Sequence, residues 1–265
     1  MNNKYYSIFI FNYSLLIRYF CSVKYLTLIP RVLWKCWLSL NFIIGLILLY
    51  PFFYALFSNE RYYRAAFTLM RGWAHVLAWT SGIYTSVKKA KPAFSQTPCV
   101  YCANHSSYLD ILISYLIIPE YFIFMGKREI QTLPLFNIFF KGMNILVDRK
   151  STTDAHKAFT RAMAELEKGN SVFIFPEGGI IFREGKLAEF KNGAFRMAME
   201  KQVPIVPITF TNNFRLLQTG SFFMADAHPG ISRVMVHAPV ETKGMDTKDL
   251  VNLRDRVYRI INSGF

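Results

Sequence analysis

The sequence predicts an α/β protein with a largely parallel or mixed sheet flanked by helices, preceded by an N-terminal apolar two-helix membrane-associated segment. Two observations support this prediction. Seven short runs rich in Val, Ile, Phe and Tyr alternate with stretches of helical spacing. The first part of the chain is strongly apolar and holds almost no acids. Strands separated by helices are typical of α/β sheets, so we expect residues 71–265 to form one such domain after membrane-associated helices in residues 1–70.

The same two regions also differ in net charge. The chain has 265 residues, is 52% hydrophobic and carries a formal net charge of +14. Residues 1–98 hold eleven Lys and Arg against the single acid Glu60, whereas residues 99–265 hold twenty against sixteen acids. A segment that is both basic and apolar favours anionic membrane lipids as a partner. We expect no nucleic acid as a partner, because no helix-turn-helix, finger or aromatic RNA-binding strand is present.

The longest apolar stretch, residues 36–58, has no charge and is long enough to cross a hydrocarbon layer of about 30 Å. If the chain crossed once with the globular part inside the cell, the basic residues that precede this stretch would lie outside. That arrangement opposes the positive-inside tendency. Pro51 also interrupts the better helix. We therefore expect two helices that enter one leaflet and return, with a true transmembrane span as the alternative.

The alternation of strands and helices continues to the end of the chain. In α/β sheets of this kind, ligand-binding and catalytic residues usually lie in crevices beyond the carboxyl ends of the strands. The predicted strands lie at 83–87, 99–104, 121–127, 144–149, 171–178, 204–211 and 233–240, and the predicted helices at 59–82, 106–117, 153–169, 190–202 and 247–262.

The cysteines do not indicate a disulfide framework or a metal site. Cys99 and Cys102 have CxxC spacing, but no second pair completes a zinc site. We interpret them as small buried residues in a reducing compartment. A zinc hydrolase is not expected because HExxH is absent, and a serine hydrolase is not expected because GxSxG is absent.

His105 and Asp110 are the first candidate catalytic pair, in the stretch NHSSYLD between a strand and a helix. Residues five apart are about 140° around a helix axis, so a contact requires His105 to lie in the turn before the helix and fold back. The aspartate would then fix the imidazole tautomer and leave the other nitrogen free to take a proton. The alternative is a helix-capping histidine with an incidental aspartate.

Three further stretches end predicted strands with residues suited to a ligand. NILVDRK at 144–150 places Arg149 at a strand exit, where it could bind phosphate or carboxylate. FPEGG at 175–179 offers Glu177 as an acceptor and Gly178 for close backbone approach. VPIVPIT at 203–209 sets two prolines around a buried-type strand and suggests an edge or a pocket wall. Each stretch alone could be an ordinary loop or turn.

Together and in this order, these four stretches resemble the glycerolipid acyltransferase family, specifically the bacterial 1-acyl-sn-glycerol-3-phosphate acyltransferases. The resemblance covers about residues 70 to 260. NHSSYLD is similar to the family's HxxxxD block, GMNILVDR to its second block, FPEGG to its third and VPIVPIT to its fourth.

The resemblance implies that His105 is the general base and Asp110 its orienting partner, in a direct attack of the acceptor hydroxyl on an acyl thioester. It further implies that Arg149 and Lys127 hold the phosphate of a lysophospholipid acceptor, and that Glu177 and Gly178 position its glycerol. The co-substrate would be acyl-CoA or an acyl carrier protein thioester, with no cofactor and no metal. Because that donor is made in the cytosol, we expect the site at the cell inner membrane, on its cytoplasmic face.

The chain departs from the family after FPEG, where Gly179, Ile180, Ile181, Phe182 and Arg183 stand in place of the usual Thr and Arg. This keeps open another acceptor, such as a lyso-amino-acid lipid. A non-catalytic membrane-binding protein on the same fold is a further alternative, disfavoured by the presence of both His105 and Asp110.

We predict that Arg183 replaces the missing arginine as a contact for the acceptor phosphate. The Arg183→Ala variant should then raise the acceptor KM more than it lowers kcat, since ground-state binding is lost. Steady-state kinetics with varied acceptor tests this, and an unchanged KM contradicts it.

Overall fold

The computed structural model describes residues 3–90, 98–127, 135–140, 142–148, 151–180 and 187–265, with side chains in the first helix described from Leu28 onward. The described chain forms a seven-stranded mixed sheet between two layers of helices. The strands are β1 (Ile83–Lys89), β2 (Val100–Ala103), β3 (Phe122–Lys127), β4 (Ile145–Val147), β5 (Ser171–Ile174), β6 (Ile205–Phe210) and β7 (Gly230–Val236). The helices are α1 (Asn3–Leu56), α2 (Tyr63–Thr80), α3 (Leu109–Ile117), α4 (Thr152–Glu167), α5 (Gly193–Glu200), α6 (Asn213–Leu216) and α7 (Leu250–Asn262).

The fold class predicted from the sequence is confirmed, and each of the seven strand-like runs overlaps one strand. The strand order is β1-β7-β6-β2-β5-β3-β4. All neighbouring pairs are parallel except β6 and β7, which are antiparallel. The carboxyl ends of β2 to β6 therefore lie along one edge of the sheet, called here the carboxyl edge. Because β7 runs in the opposite direction, its first residue lies at this same edge, and so does the loop that leads into it.

Side chains on β2 show how the two layers share the sheet. Tyr101 and Ala103 pack into an aromatic core with α1, α2 and α3. Val100 and Cys102 point to the opposite face and pack with α4, α5 and α7. This alternation is the period of two expected of a strand buried on both faces.

The prediction of two apolar helices within residues 1–70 is not confirmed, because α1 is one continuous helix that contains Pro30 and Pro51. Leu46 and Phe53, on either side of Pro51, are both buried against the rest of the chain. This packing outweighs the local cost of a proline in a helix. The chain does turn back, but only after residue 56, where α2 packs along α1 and forms a helical hairpin with it.

The predicted boundary between residues 70 and 71 falls inside α2, and it stays a prediction. Phe67 and Met70 lie in the same core as the strands. By length and composition, Leu28–Leu56 is the one helix in the described part of the chain that could cross a membrane.

The edge position predicted for VPIVPIT is wrong, because β6 lies between β7 and β2. Pro207 fits inside the sheet because the antiparallel ladder with β7 begins only at Ile208. Beyond Val236 the neighbouring chain rejoins β6 at the isolated bridge between Ile205 and Val240. The proline nitrogen thus falls in a gap of the ladder, where no N–H is needed.

Burial should make the thiols of Cys99 and Cys102 inert in the folded protein. Burial raises the pKa of Cys99 to about 11 and also raises the pKa of Cys102. At pH 8 roughly one Cys99 thiol in a thousand is then ionised. In a variant with Cys21→Ser and Cys36→Ser, we expect Ellman's reagent to find no reactive thiol before unfolding in urea and two afterwards. Fast labelling of the native variant would contradict this.

Candidate active site

The candidate site is built in the turns that follow β2, β5 and β6 at the carboxyl edge. His105 lies in the turn between β2 and α3, and Asp110 lies in the first turn of α3. The Nδ1 atom of His105 is 3.0 Å from Oδ2 of Asp110. The contact forms as the sequence required, with the histidine folded back from the turn rather than on the helix.

Asp110 is completely buried, and four groups contact its carboxylate. Oδ2 accepts the backbone N–H groups of Ser106 and Ser107 at 2.7 and 2.9 Å, besides facing His105. Oδ1 accepts the side-chain amide of Asn213 at 2.8 Å. An ionised carboxylate only accepts hydrogen bonds, so Nδ1 of His105 carries its proton and Nε2 presents a lone pair.

Asn213 is a site residue that the sequence reasoning missed. It is completely buried in α6, just beyond β6, and its Oδ1 atom accepts the hydroxyl of Ser232 on β7 at 2.6 Å. The chain Ser232–Asn213–Asp110–His105 thus links two strands to the imidazole. Two asparagines directly after a buried strand, on the edge where the other motifs end, were the available signal.

The imidazole also has an aromatic support. The ring of His105 stacks on Phe175, with centroids 3.9 Å apart and planes 11° from parallel. Only 8% of His105 is exposed. Stacking and the bond to Asp110 together fix both the position and the orientation of the ring.

Glu177 holds two segments of the site together. Its Oε1 atom accepts the backbone N–H of His105 at 2.7 Å, and Oε2 accepts that of Ala188 at 2.8 Å. Burial raises the pKa of Glu177, while these two N–H groups act in the opposite direction. Gly178 follows with φ of +84°, and its N–H closes the turn by donating to the carbonyl of Phe175. A glycine adopts this φ without strain.

The other predicted binding residues are described only in part. Lys127 is the last residue of β3, so its backbone lies at the carboxyl edge, but its side chain lies outside the described residues. Arg149 and Arg183 also lie outside the described residues. The roles of all these residues stay predictions.

The comparisons with known proteins concern the family. Residues 84–211 match the model of the acyltransferase family, a range that contains His105, Asp110 and Glu177. This range carries an acyltransferase-family domain. The resemblance inferred from the four motifs is therefore confirmed at the level of the family.

Relatives of this chain occur in bacteria and plants. A 1-acyl-sn-glycerol-3-phosphate acyltransferase of Borreliella burgdorferi is 31% identical over 154 residues, which cover 57% of this chain and 61% of that protein. A chloroplastic enzyme of the same name from Arabidopsis thaliana is 36% identical over 156 residues, covering 57% of this chain and 42% of that protein. The chain thus spans about half the length of the plant relative it matches.

A solved structure shares the fold. The crystal structure of the 1-acyl-sn-glycerophosphate acyltransferase PlsC from Thermotoga maritima superposes with a TM-score of 0.73 and 19% identity, covering 89% of this chain and 95% of that one.

We predict that Glu177→Ala destabilises the protein by about 1–3 kcal/mol for each of the two buried N–H groups left without an acceptor. Because the pKa of Glu177 is raised from its ordinary 4.5, the stability it contributes is fully present below pH 4.5 and is lost as the pH rises through the raised value. The cost of the substitution should therefore shrink from pH 4.5 upward.

Urea unfolding of wild type and variant at several pH values measures this cost. The control is Glu189→Ala, which removes an exposed carboxylate from the same segment. A cost that equals the control's would show that the carboxylate does not brace the two segments, and a cost that grows with pH would show that the pKa of Glu177 is lowered rather than raised.

Proposed function

We propose that the protein transfers a fatty acyl group from a thioester to the free hydroxyl of 1-acyl-glycerol-3-phosphate, giving phosphatidate. The observation that carries this proposal is the hydrogen bond between His105 and Asp110, which leaves Nε2 of a fixed imidazole free to take a proton. The names of the relatives support the choice of substrates.

In the proposed reaction, Nε2 removes the proton of the acceptor hydroxyl as its oxygen attacks the thioester carbonyl. The carbon–sulfur bond then breaks, and the imidazolium returns the proton to the leaving thiolate. Asp110 stabilises the transient imidazolium without taking its proton. General-base assistance of this kind accelerates a reaction by about 10²- to 10⁴-fold.

Binding of the acceptor phosphate is assigned to basic residues that end or follow strands along the sequence. We propose that Arg149 and Lys127 hold the phosphate, with a further contact from Arg183, because guanidinium groups bind phosphate in a bidentate manner. Glu177 and Gly178 would position the glycerol. With both oxygens of Glu177 engaged by backbone N–H groups, we assign its contribution to shaping the turn around His105.

We propose that α1 seats the enzyme on the cytoplasmic face of the inner membrane, drawn by anionic lipids. One side of α1 packs on the protein, while the other carries an exposed apolar stripe at helical spacing. A helix of this kind rests in the interface with its free face in lipid. The members of the stripe are Ile29, Leu33, Leu40, Ile44, Ile47 and Leu48.

The first experiment is acyl transfer by purified protein in mixed micelles, with lysophosphatidate and a phosphate-free lyso-lipid offered in parallel. His105→Ala should lose about 10²-fold or more of kcat, because the general base is gone. Asn213→Ala should lose less, about tenfold, since Asp110 keeps three of its four contacts. The control is His156→Ala, an exposed histidine on α4 that should not change kcat.

Comparison of the two acceptors identifies the substrate class. Product from lysophosphatidate alone supports phosphatidate synthesis. Product from the phosphate-free lipid alone moves the same chemistry to another lipid, as the departure after FPEG allows. Full activity in a folded His105→Ala variant would overturn the proposed role of His105.

A further inference from the structure

One end of the molecule exposes large apolar side chains on three different elements. They are Trp37 on α1, Trp79 at the end of α2, and Phe222, Phe223 and Met224 in the loop before β7; we call them the apolar end. Trp79 is 72% exposed, Phe223 62% and Met224 65%. The indole N–H of Trp37 donates to the carbonyl of Thr80, which brings these parts of α1 and α2 together.

The loop is held rigidly against α1. The amine of Lys35 is buried and donates to the carbonyls of Phe222 and Ala225. Arg31, one helical turn earlier, pairs with Asp226 at 2.6 Å. A loop fixed in this way cannot fold its aromatic side chains back onto the protein. Apolar patches kept exposed on rigid elements usually mark an interaction surface.

The apolar end lies at the carboxyl edge, beside His105. The loop starts from that edge because β7 is antiparallel to β6. Its base contacts the turn of the site directly, since the hydroxyl of Ser107 donates to the carbonyl of Leu217 at 2.7 Å. Whatever covers the apolar end therefore also lies next to the site.

A cationic cavity adjoins the loop. It has a volume of about 610 Å³. Asp226 pairs with Arg31, so Arg215 leaves the lining with one more positive than negative charge, which favours an anion. The lining residues are Arg31, Phe214, Arg215, Gln218, Asp226, Ala227 and His228. An arginine beside an exposed apolar tip suits a phospholipid, whose phosphate lies just above its acyl chains.

The course of α1 points to the same partner. The helix continues towards its start at Asn3, past the level of Arg31 and Lys35. At about 1.5 Å per residue, the part before Leu28 extends roughly 37 Å further. Residues 5–17 in that part are apolar apart from Ser and Asn. Tryptophans such as Trp37 and Trp79 are enriched where helices enter a membrane.

We propose that the apolar end is a second membrane contact, in which Phe223 and Met224 enter a leaflet of anionic phospholipid and the cavity holds a headgroup phosphate. The site then lies beside the membrane surface on which α1 rests. This inference rests on the membrane association proposed above, but it does not depend on acyl transfer.

A fluorophore on the loop tests the proposal. In the background lacking Cys21 and Cys36, a bimane label is attached to Phe223→Cys, and the full-length protein is reconstituted into phosphatidylcholine vesicles with roughly a third phosphatidylglycerol. The matched control is Val251→Cys, an exposed apolar position at the start of α7, at the edge of the sheet opposite the site. Nitroxide-labelled lipids and aqueous iodide serve as quenchers.

We expect the label at 223 to be quenched by the nitroxide lipids and shielded several-fold from iodide, and the label at 251 to show the reverse. Equal access of iodide to both labels would overturn the proposal. Shielding of position 223 from both quenchers would also overturn it, because a second copy of the chain would then cover the apolar end. Acyl transfer is measured separately in mixed micelles, so failure here is distinct from failure of the proposed activity.

Removing a positive charge from the cavity tests whether the cavity holds a headgroup phosphate. Quenching of the 223 label by nitroxide lipids should increase with the fraction of phosphatidylglycerol, and this increase should fall by half or more in Arg215→Gln. Arg256→Gln, which removes an exposed arginine on α7, should behave as the parent protein does. Equal effects of the two substitutions would show that the cavity does not hold the headgroup.

Discussion

The carboxylate of Asp110 is the group on which the site depends. A buried carboxylate is stable only if hydrogen bonds satisfy both of its oxygens. A carboxylate taken out of water loses several kcal/mol of hydration that only closely placed donors restore. Here the donors come from the turn after β2, from α6 and from the imidazole. Three of these groups belong to the turn after β2, but Asn213 reaches Asp110 only when β2 and β6 are neighbours, so the full set of contacts requires the sheet.

Neutral donors around Asp110 have a second effect. The two backbone N–H groups and the amide of Asn213 compensate the charge without cancelling it. The carboxylate therefore remains able to stabilise a positive imidazole when a proton arrives. An arginine in place of Asn213 would compensate the burial more strongly but would oppose that second charge.

The sequence predicted those parts of the structure that are encoded over short distances. Seven strands, the amphipathic helices and the turn that joins His105 to Asp110 all follow from periodicity and from spacing within a few residues. Asn213 was missed because its partner, Asp110, is 103 residues away and no local pattern marks that pair. Stacking of Phe175 on His105 depends likewise on which strands become neighbours. The break expected at Pro51 failed because packing on either side of it decides the course of α1.

The reversal of β7 connects features that are otherwise unrelated. A parallel β7 would need a crossover to the far edge of the sheet, and the segment after β6 would then leave the site. With β7 antiparallel, one connection carries Asn213 at its start, the carbonyl of Leu217 in its middle and the loop with Phe223 before β7. We therefore expect evolutionary change in the length of this connection to be constrained from two sides, by a buried carboxylate at one end and by the proposed lipid-contacting surface at the other.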